Sequence, residues 1–159
     1  MAGFDRFEDI EAWRRARELT KEVYALTSAG SFSRDFGLID QMRRAAVSIM
    51  SNIAEGFGRG GNKEFVQFLW VAKGSVSELQ AQCYVALDTG YIDQCQFQRC
   101  HTRCEEISKM LAGLIAYLTQ TERKGARYTP THRTPNSKLR TPNSELRTPN
   151  SELRTQINE

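Results

Sequence analysis

A chain of 159 residues, with 40% hydrophobic, 26% charged and 9% aromatic positions, is long enough for one domain with its own core and short for two. No stretch approaches the roughly 20 consecutive apolar residues of a membrane span, and residues 1–11 carry four acidic side chains where a signal peptide carries basic ones, so a soluble cytoplasmic protein is expected. The formal charge of +3 divides unevenly: residues 1–120 hold 14 Lys and Arg against 15 Asp and Glu, whereas 121–159 hold 8 against 4, so any nucleic-acid site on the body must be a local patch.

The first segment, about 7–27, places Ile10, Trp13, Ala16, Leu19, Val23 and Leu26 at steps of three and four, with Asp9 and Glu11 near its start. That spacing predicts an amphipathic helix with acids at its N-terminal end. Residues 27–34, rich in Ser and Gly, read as a linker. Leu38, Met42, Ala45, Ile49 and Ile53 then carry a second helix over about 37–57, which should stop at Gly56, Gly58, Gly60 and Gly61. Asn62 can cap a third helix, about 62–89, with the seam Phe65, Leu69, Ala72, Val76, Leu79, Cys83 and Leu87, closing at Gly90. The fourth, about 93–121, has the most regular period: Phe97, Cys100, Cys104, Ile107, Leu111, Leu114 and Leu118 alternate steps of three and four. Nothing in the body reads as a strand.

From Thr134 the chain repeats TPNSKLR, TPNSELR, TPNSELR. Each unit has one apolar side chain and a proline, whereas a coiled coil needs two seam positions and no proline inside its helix. Under the standard code ACT CCG AAC TCC GAA CTC CGA spells TPNSELR, the seven-base unit ACTCCGA written three times, so a short DNA repeat accounts for the regularity. Residues 125–159 are too poor in apolar side chains to offset the entropy of ordering and are expected to be disordered.

Four helices of about 20 to 28 residues, each with one apolar stripe and joined by short loops, predict an all-α, antiparallel up-down four-helix bundle over 1–124. Catalytic chemistry finds little purchase in it. His132 lies in the tail, which leaves His101 as the imidazole of the body. Cys100 and Cys104 flank it, but both fall on the apolar seam, where free cysteine behaves as a small hydrophobe, and no second pair completes a zinc set. The four cysteines suit reduced thiols better than bridges. The glycines of GFGRGG lack a following Gly-Lys-Ser/Thr and lie between helices, not after a strand. Ser48 sits inside a helix and has no nucleophile elbow. No enzyme activity, metal or cofactor is expected.

What remains is a polar stripe on the second helix, Gln41, Arg44, Ser48, Asn52 and Glu55, running on to Arg59 about 100° from the apolar seam. With the small residues Ala45 and Ala46 beside it, this face is suited to close approach by another helix, within the bundle or across a subunit boundary. It also carries a sequence signature. The run FGLIDQMRRAAVSIMSNIAEGFGR at 36–59, followed by Phe68, Leu69, Ala72, Gly74, Ser75, Glu78 and Leu79 and then Gly90 and Tyr91, resembles the four-helix-bundle (S23-type) proteins encoded in intervening sequences of bacterial 23S ribosomal RNA genes. Trp13 and the Val23-Tyr24 pair fit the same pattern. The resemblance spans about residues 4–120 and stops before the tail. It implies a ring-shaped homopentamer of four-helix protomers, and kinship with the accessory protein that partners reverse transcriptase and RNA in diversity-generating retroelements.

Two function classes follow. One is a non-catalytic oligomer associated with RNA, with Arg14, Arg15 and Arg17 on the first helix and Arg43, Arg44, Arg59 and Lys63 around the second as phosphate contacts. The other is a structural or protein-interaction scaffold, in which those arginines pair with Glu18, Glu22 and Glu55 or line a subunit interface.

Overall fold

The computed structural model describes residues 3–123; the expected tail, 125–159, lies outside them. Four helices, α1 (Glu11–Thr27), α2 (Phe36–Gly58), α3 (Asn62–Asp88) and α4 (Gln94–Arg123), run alternately up and down, and no strand occurs among the described residues. Each helix packs on two neighbours, α1 on α2 and α4, and α3 on α2 and α4, so the bundle is square in section. The predicted seams meet at its centre: Leu19, Val23, Met42, Ile49, Ile53, Leu69, Leu79, Ile107 and Leu111 are all fully buried. Among the described residues no helix is long and apolar enough to cross a membrane.

Helix starts follow local hydrogen bonding. The expected first helix is interrupted: Phe7–Asp9 is a single 3₁₀ turn, and Ile10 is extended and buried, its carbonyl accepting from Trp13 N at 3.0 Å and Arg14 N at 3.2 Å to begin α1. Asp35 caps α2 by accepting from Leu38 N at 3.0 Å. At α4, Asp93 Oδ1 accepts from Gln96 N at 2.7 Å while Gln96 Oε1 accepts from Asp93 N at 2.9 Å, a reciprocal capping box. Asn62, expected as a cap, is instead the first residue of α3, and the cap position falls to Gly61.

Three further expectations change. Gly56 does not stop α2 but lies buried within it, at its contact with α3; the turn is made by Gly60, whose φ of +75° suits glycine. The linker between α1 and α2 contributes to the core, because Phe32 is buried and stacks on Tyr91, ring centroids 4.8 Å apart. On α4 the seam shifts near its end, where Ile115 is buried and Leu114 only half-buried. A strict alternation of three and four drifts about 20° per heptad against a straight helix, so by that point the next residue faces inward.

Candidate functional site

The polar stripe of α2 splits along its width. Ser48 and Asn52 are half-buried against α3, while Gln41, Arg44 and Glu55 face solvent. Asn52 Nδ2 donates to Ser48 O at 2.8 Å and to Ser48 Oγ at 3.0 Å, Ser48 Oγ lies 2.8 Å from Ser75 Oγ, and Ser75 Oγ donates to Val71 O at 3.2 Å. Each hydroxyl has one proton, so a single arrangement satisfies all four contacts: Asn52 donates to Ser48, Ser48 to Ser75, and Ser75 to the α3 backbone. Ser48→Ala is expected to remove about 1 kcal/mol of stability. Ser48→Leu, which also overpacks a close helix contact, should remove about 2–3 kcal/mol. Thermal unfolding of the two variants reads the difference, and equal losses would mean that the contact has room to spare.

The seven basic residues singled out in the sequence do not form one patch. Thr20 Oγ1 on α1 donates to Ala16 O of its own helix at 2.8 Å and lies 3.2 Å from Ala46 O on α2, so these two positions face each other in the antiparallel pair. Arg43 is thereby brought to the C-terminal end of α1, where it donates to Thr27 Oγ1 at 2.9 Å and Ser28 Oγ at 3.0 Å and lies 4.5 Å over the Tyr24 ring. Arg14, Arg15 and Arg17 lie toward the opposite end, the end that also carries Arg59 just after α2 and Lys63 in the first turn of α3. Most are neutralised locally. Arg14 and Arg15 pair with Glu11 at 3.1 and 2.9 Å, Arg44 with Asp40 at 3.5 Å, and Arg59 with Glu55. Arg17 stands over Trp13 and Arg59 over Phe68. Exposed pairs of this kind contribute little stability and leave the surface nearly neutral.

A more concentrated charge cluster joins α1 to α4 through two arginines that the sequence reading passed over. Glu22, only 16% exposed at its side chain, takes Arg103 at 3.0 Å and Arg99 at 3.4 Å, and Arg103 also reaches Glu18 at 3.5 Å. Arg15, Arg99 and Arg103, with Gln98, Thr102 and Glu106, line an open cavity of about 360 Å³. The four-residue spacing of Glu18 and Glu22, and of Arg99 and Arg103, is ordinary for solvated helix faces, and only the packing of α1 against α4 brings the two sets together. Among the described residues no group of three or more His, Cys, Asp or Glu side chains is placed to hold a metal ion.

The largest departure from an ordinary surface is apolar. On the outward side of α3, Trp70, Val71, Tyr84 and Val85 are each about half exposed. Gly74 lies between the two pairs, and a Cβ built on it would meet nothing within 4 Å. Glycine mid-helix is unfavourable by roughly 0.5–1 kcal/mol relative to alanine, and here neither backbone conformation nor packing within the chain requires it. A second open surface is the groove between α1 and α2, about 600 Å³, where Tyr24, Phe36, Ile39 and Val47 lie among Asp40, Arg43, Arg44 and Ser48. Phe36 at its mouth is 79% exposed.

The comparisons agree with this architecture. A crystal structure of a protein of unknown function from the S23 ribosomal protein family of Bacteroides thetaiotaomicron superposes with a TM-score of 0.61 at 22% identity, covering 66% of this chain and 95% of that one. No curated protein matches the sequence. Residues 8–113, which take in α1 to α3, the motif on α2 and most of α4, match the 23S rRNA-intervening sequence proteins, and the chain belongs to that family.

Proposed function

We propose that the protein is a non-catalytic, self-assembling helical module, a closed homo-oligomer that serves as a scaffold. The observation that carries this reading is the outward side of α3, where exposed Trp70 and Val71 stand one turn from a glycine with open space above it and a second exposed pair, Tyr84 and Val85, follows about three turns further on. These two apolar pairs interrupt a side of α3 that otherwise carries Gln67, Ser77 and Glu78, and large apolar patches left open on a surface mark contacts with another chain. The α1–α2 groove offers a complementary surface on a different side of the protomer. Contacts between two unlike surfaces are heterologous, and these close into rings when the rotation between copies permits. A ring of five is what the family resemblance implies.

Light scattering on the intact protein is expected to give a multiple of the 18.1 kDa chain mass at micromolar concentration. Gly74→Leu, or Trp70→Glu with Val71→Glu, should shift the mass toward the protomer while circular dichroism stays unchanged. A protomer mass for the unmodified protein ends this reading.

Association with RNA is the second reading: Arg15, Arg99 and Arg103 line one open cavity on the α1–α4 side, where phosphate would take the place of the carboxylates of Glu11, Glu18 and Glu22 that now pair with them. In a ring this patch would recur in every protomer, and multivalency strengthens weak single contacts. Arg99→Gln with Arg103→Gln should then weaken binding to structured RNA and flatten its salt dependence relative to the intact chain. The basic tail is common to both proteins, so its contribution cancels. Equal affinities would leave the scaffold without direct RNA contact through this face.

A further inference from the structure

Three of the four cysteines meet inside the bundle. Cys83 on α3 and Cys100 and Cys104 on α4 are all fully buried, and all are free thiols. Cys83 Sγ and Cys100 Sγ lie 3.0 Å apart on different helices, within about 1 Å of the 2.05 Å of an S–S bond. Seam-filling alone needs only volume, and alanine or valine would supply it without bringing sulfur against sulfur. The cluster also has an internal order. Hydrogen bonds with Cys104 and Cys83 hold the Cys100 thiol below its ordinary range, while the same hydrogen bonds and burial push Cys83 and Cys104 up. Of the three sulfurs Cys100 is thus the one that ionises most readily once the contact opens, and thiolate is the reactive form.

We propose that Cys83 and Cys100 are an oxidation site, at which a hydroperoxide converts the pair into an intramolecular disulfide tying α3 to α4. The Cys100 thiolate attacks one peroxide oxygen, the O–O bond breaks, and the departing hydroxide leaves as water after taking up a proton. Cys100 is then a sulfenic acid. The Cys83 sulfur attacks the Cys100 sulfur, the S–S bond forms as the S–O bond breaks, and the hydroxyl leaves as a second water with the proton of Cys83. Two thiols lose two electrons and two protons, and one hydrogen peroxide becomes two waters. Both sulfurs are covered, so the reaction waits on local opening of the α3–α4 contact near Phe97 and Tyr84, whose rings pack 4.8 Å apart.

The test uses the intact protein, treated with hydrogen peroxide, unfolded, alkylated and digested without reduction. The expected result is a loss of two of the four alkylatable thiols, a peptide pair joining Cys83 to Cys100, a monomeric chain on a non-reducing gel, and reversal by dithiothreitol. Cys83→Ala should abolish the cross-link and Cys104→Ala should retain it, with circular dichroism confirming that both variants fold. If a variant does not fold, the peptide map of the unmodified chain decides alone. A bond between Cys100 and Cys104, a bond through Cys95 between chains, oxidation to sulfinic acid without a cross-link, or four intact thiols each overturns the proposal.

Discussion

Phe32→Ala is expected to remove about 3–5 kcal/mol of stability, and the melting temperature by far-ultraviolet circular dichroism should fall by on the order of 10 °C. Phe32 is 1% exposed although it belongs to a connection, and its ring stacks on Tyr91 at an interplanar angle of 11°. It thus joins the α1–α2 turn to the α3–α4 turn at one end of the bundle. Truncation opens a cavity between four helix ends, which can close only if the helices move. Phe36→Ala, the same substitution four residues later at a position 79% exposed, should change stability by less than about 0.5 kcal/mol. Similar losses at the two positions would mean that Phe32 does not anchor the turns.

Gly56→Ala and Gly74→Ala are expected to have opposite signs. Both glycines sit inside helices, where alanine is ordinarily favoured by roughly 0.5–1 kcal/mol. A Cβ on Gly56 would lie 2.5 Å from Phe68 Cβ and 2.9 Å from Phe65 Cδ2. Phe68 Cβ is fixed to the α3 backbone and Phe65 is itself buried, so relief requires α2 and α3 to separate. Overpacking of this kind ordinarily destabilises by about 1–3 kcal/mol, which outweighs the propensity gain. At Gly74 nothing opposes the gain within the protomer, and Gly74→Ala should stabilise it by about 0.5–1 kcal/mol. Urea unfolding of both variants at low protein concentration separates them; a gain at Gly56 would mean that α3 yields there easily.

The four helices were legible because their apolar residues recur at helical spacing through two or more turns, as Met42, Ile49 and Ile53 do. What periodicity could not show is which residues face across a contact. Phe32 has no periodic neighbours and reads as linker. Gly56 reads as a stop signal, since composition does not distinguish a glycine chosen for its backbone from one chosen for the absence of a side chain. Ser75 and Ala46 are buried beside the predicted seams, because a helix with two packed neighbours hides a wider arc than one stripe. The candidate site was legible in part. Ser48 and Asn52 were singled out by their place on one stripe, and Ser48, held by Asn52, meets Ser75 across the α2–α3 contact. Arg99 and Arg103 were not, because nothing in α4 alone indicates that Glu22 on α1 will stand opposite them.

The two opposite seams of the bundle are closed by different forces, and this gives the fold a directional softness. Along α2–α3 the closure is uncharged: Gly56 admits the phenylalanines of α3, and Ser48 meets Ser75. Along α1–α4 the rim is closed by Glu18 and Glu22 with Arg99 and Arg103, whose guanidinium groups remain substantially exposed. Dissolved ions compete for the second seam and leave the first nearly untouched. Raising the ionic strength should therefore loosen the α1–α4 rim before it touches the α2–α3 contact, so salt acts on one side of the bundle and not on the other.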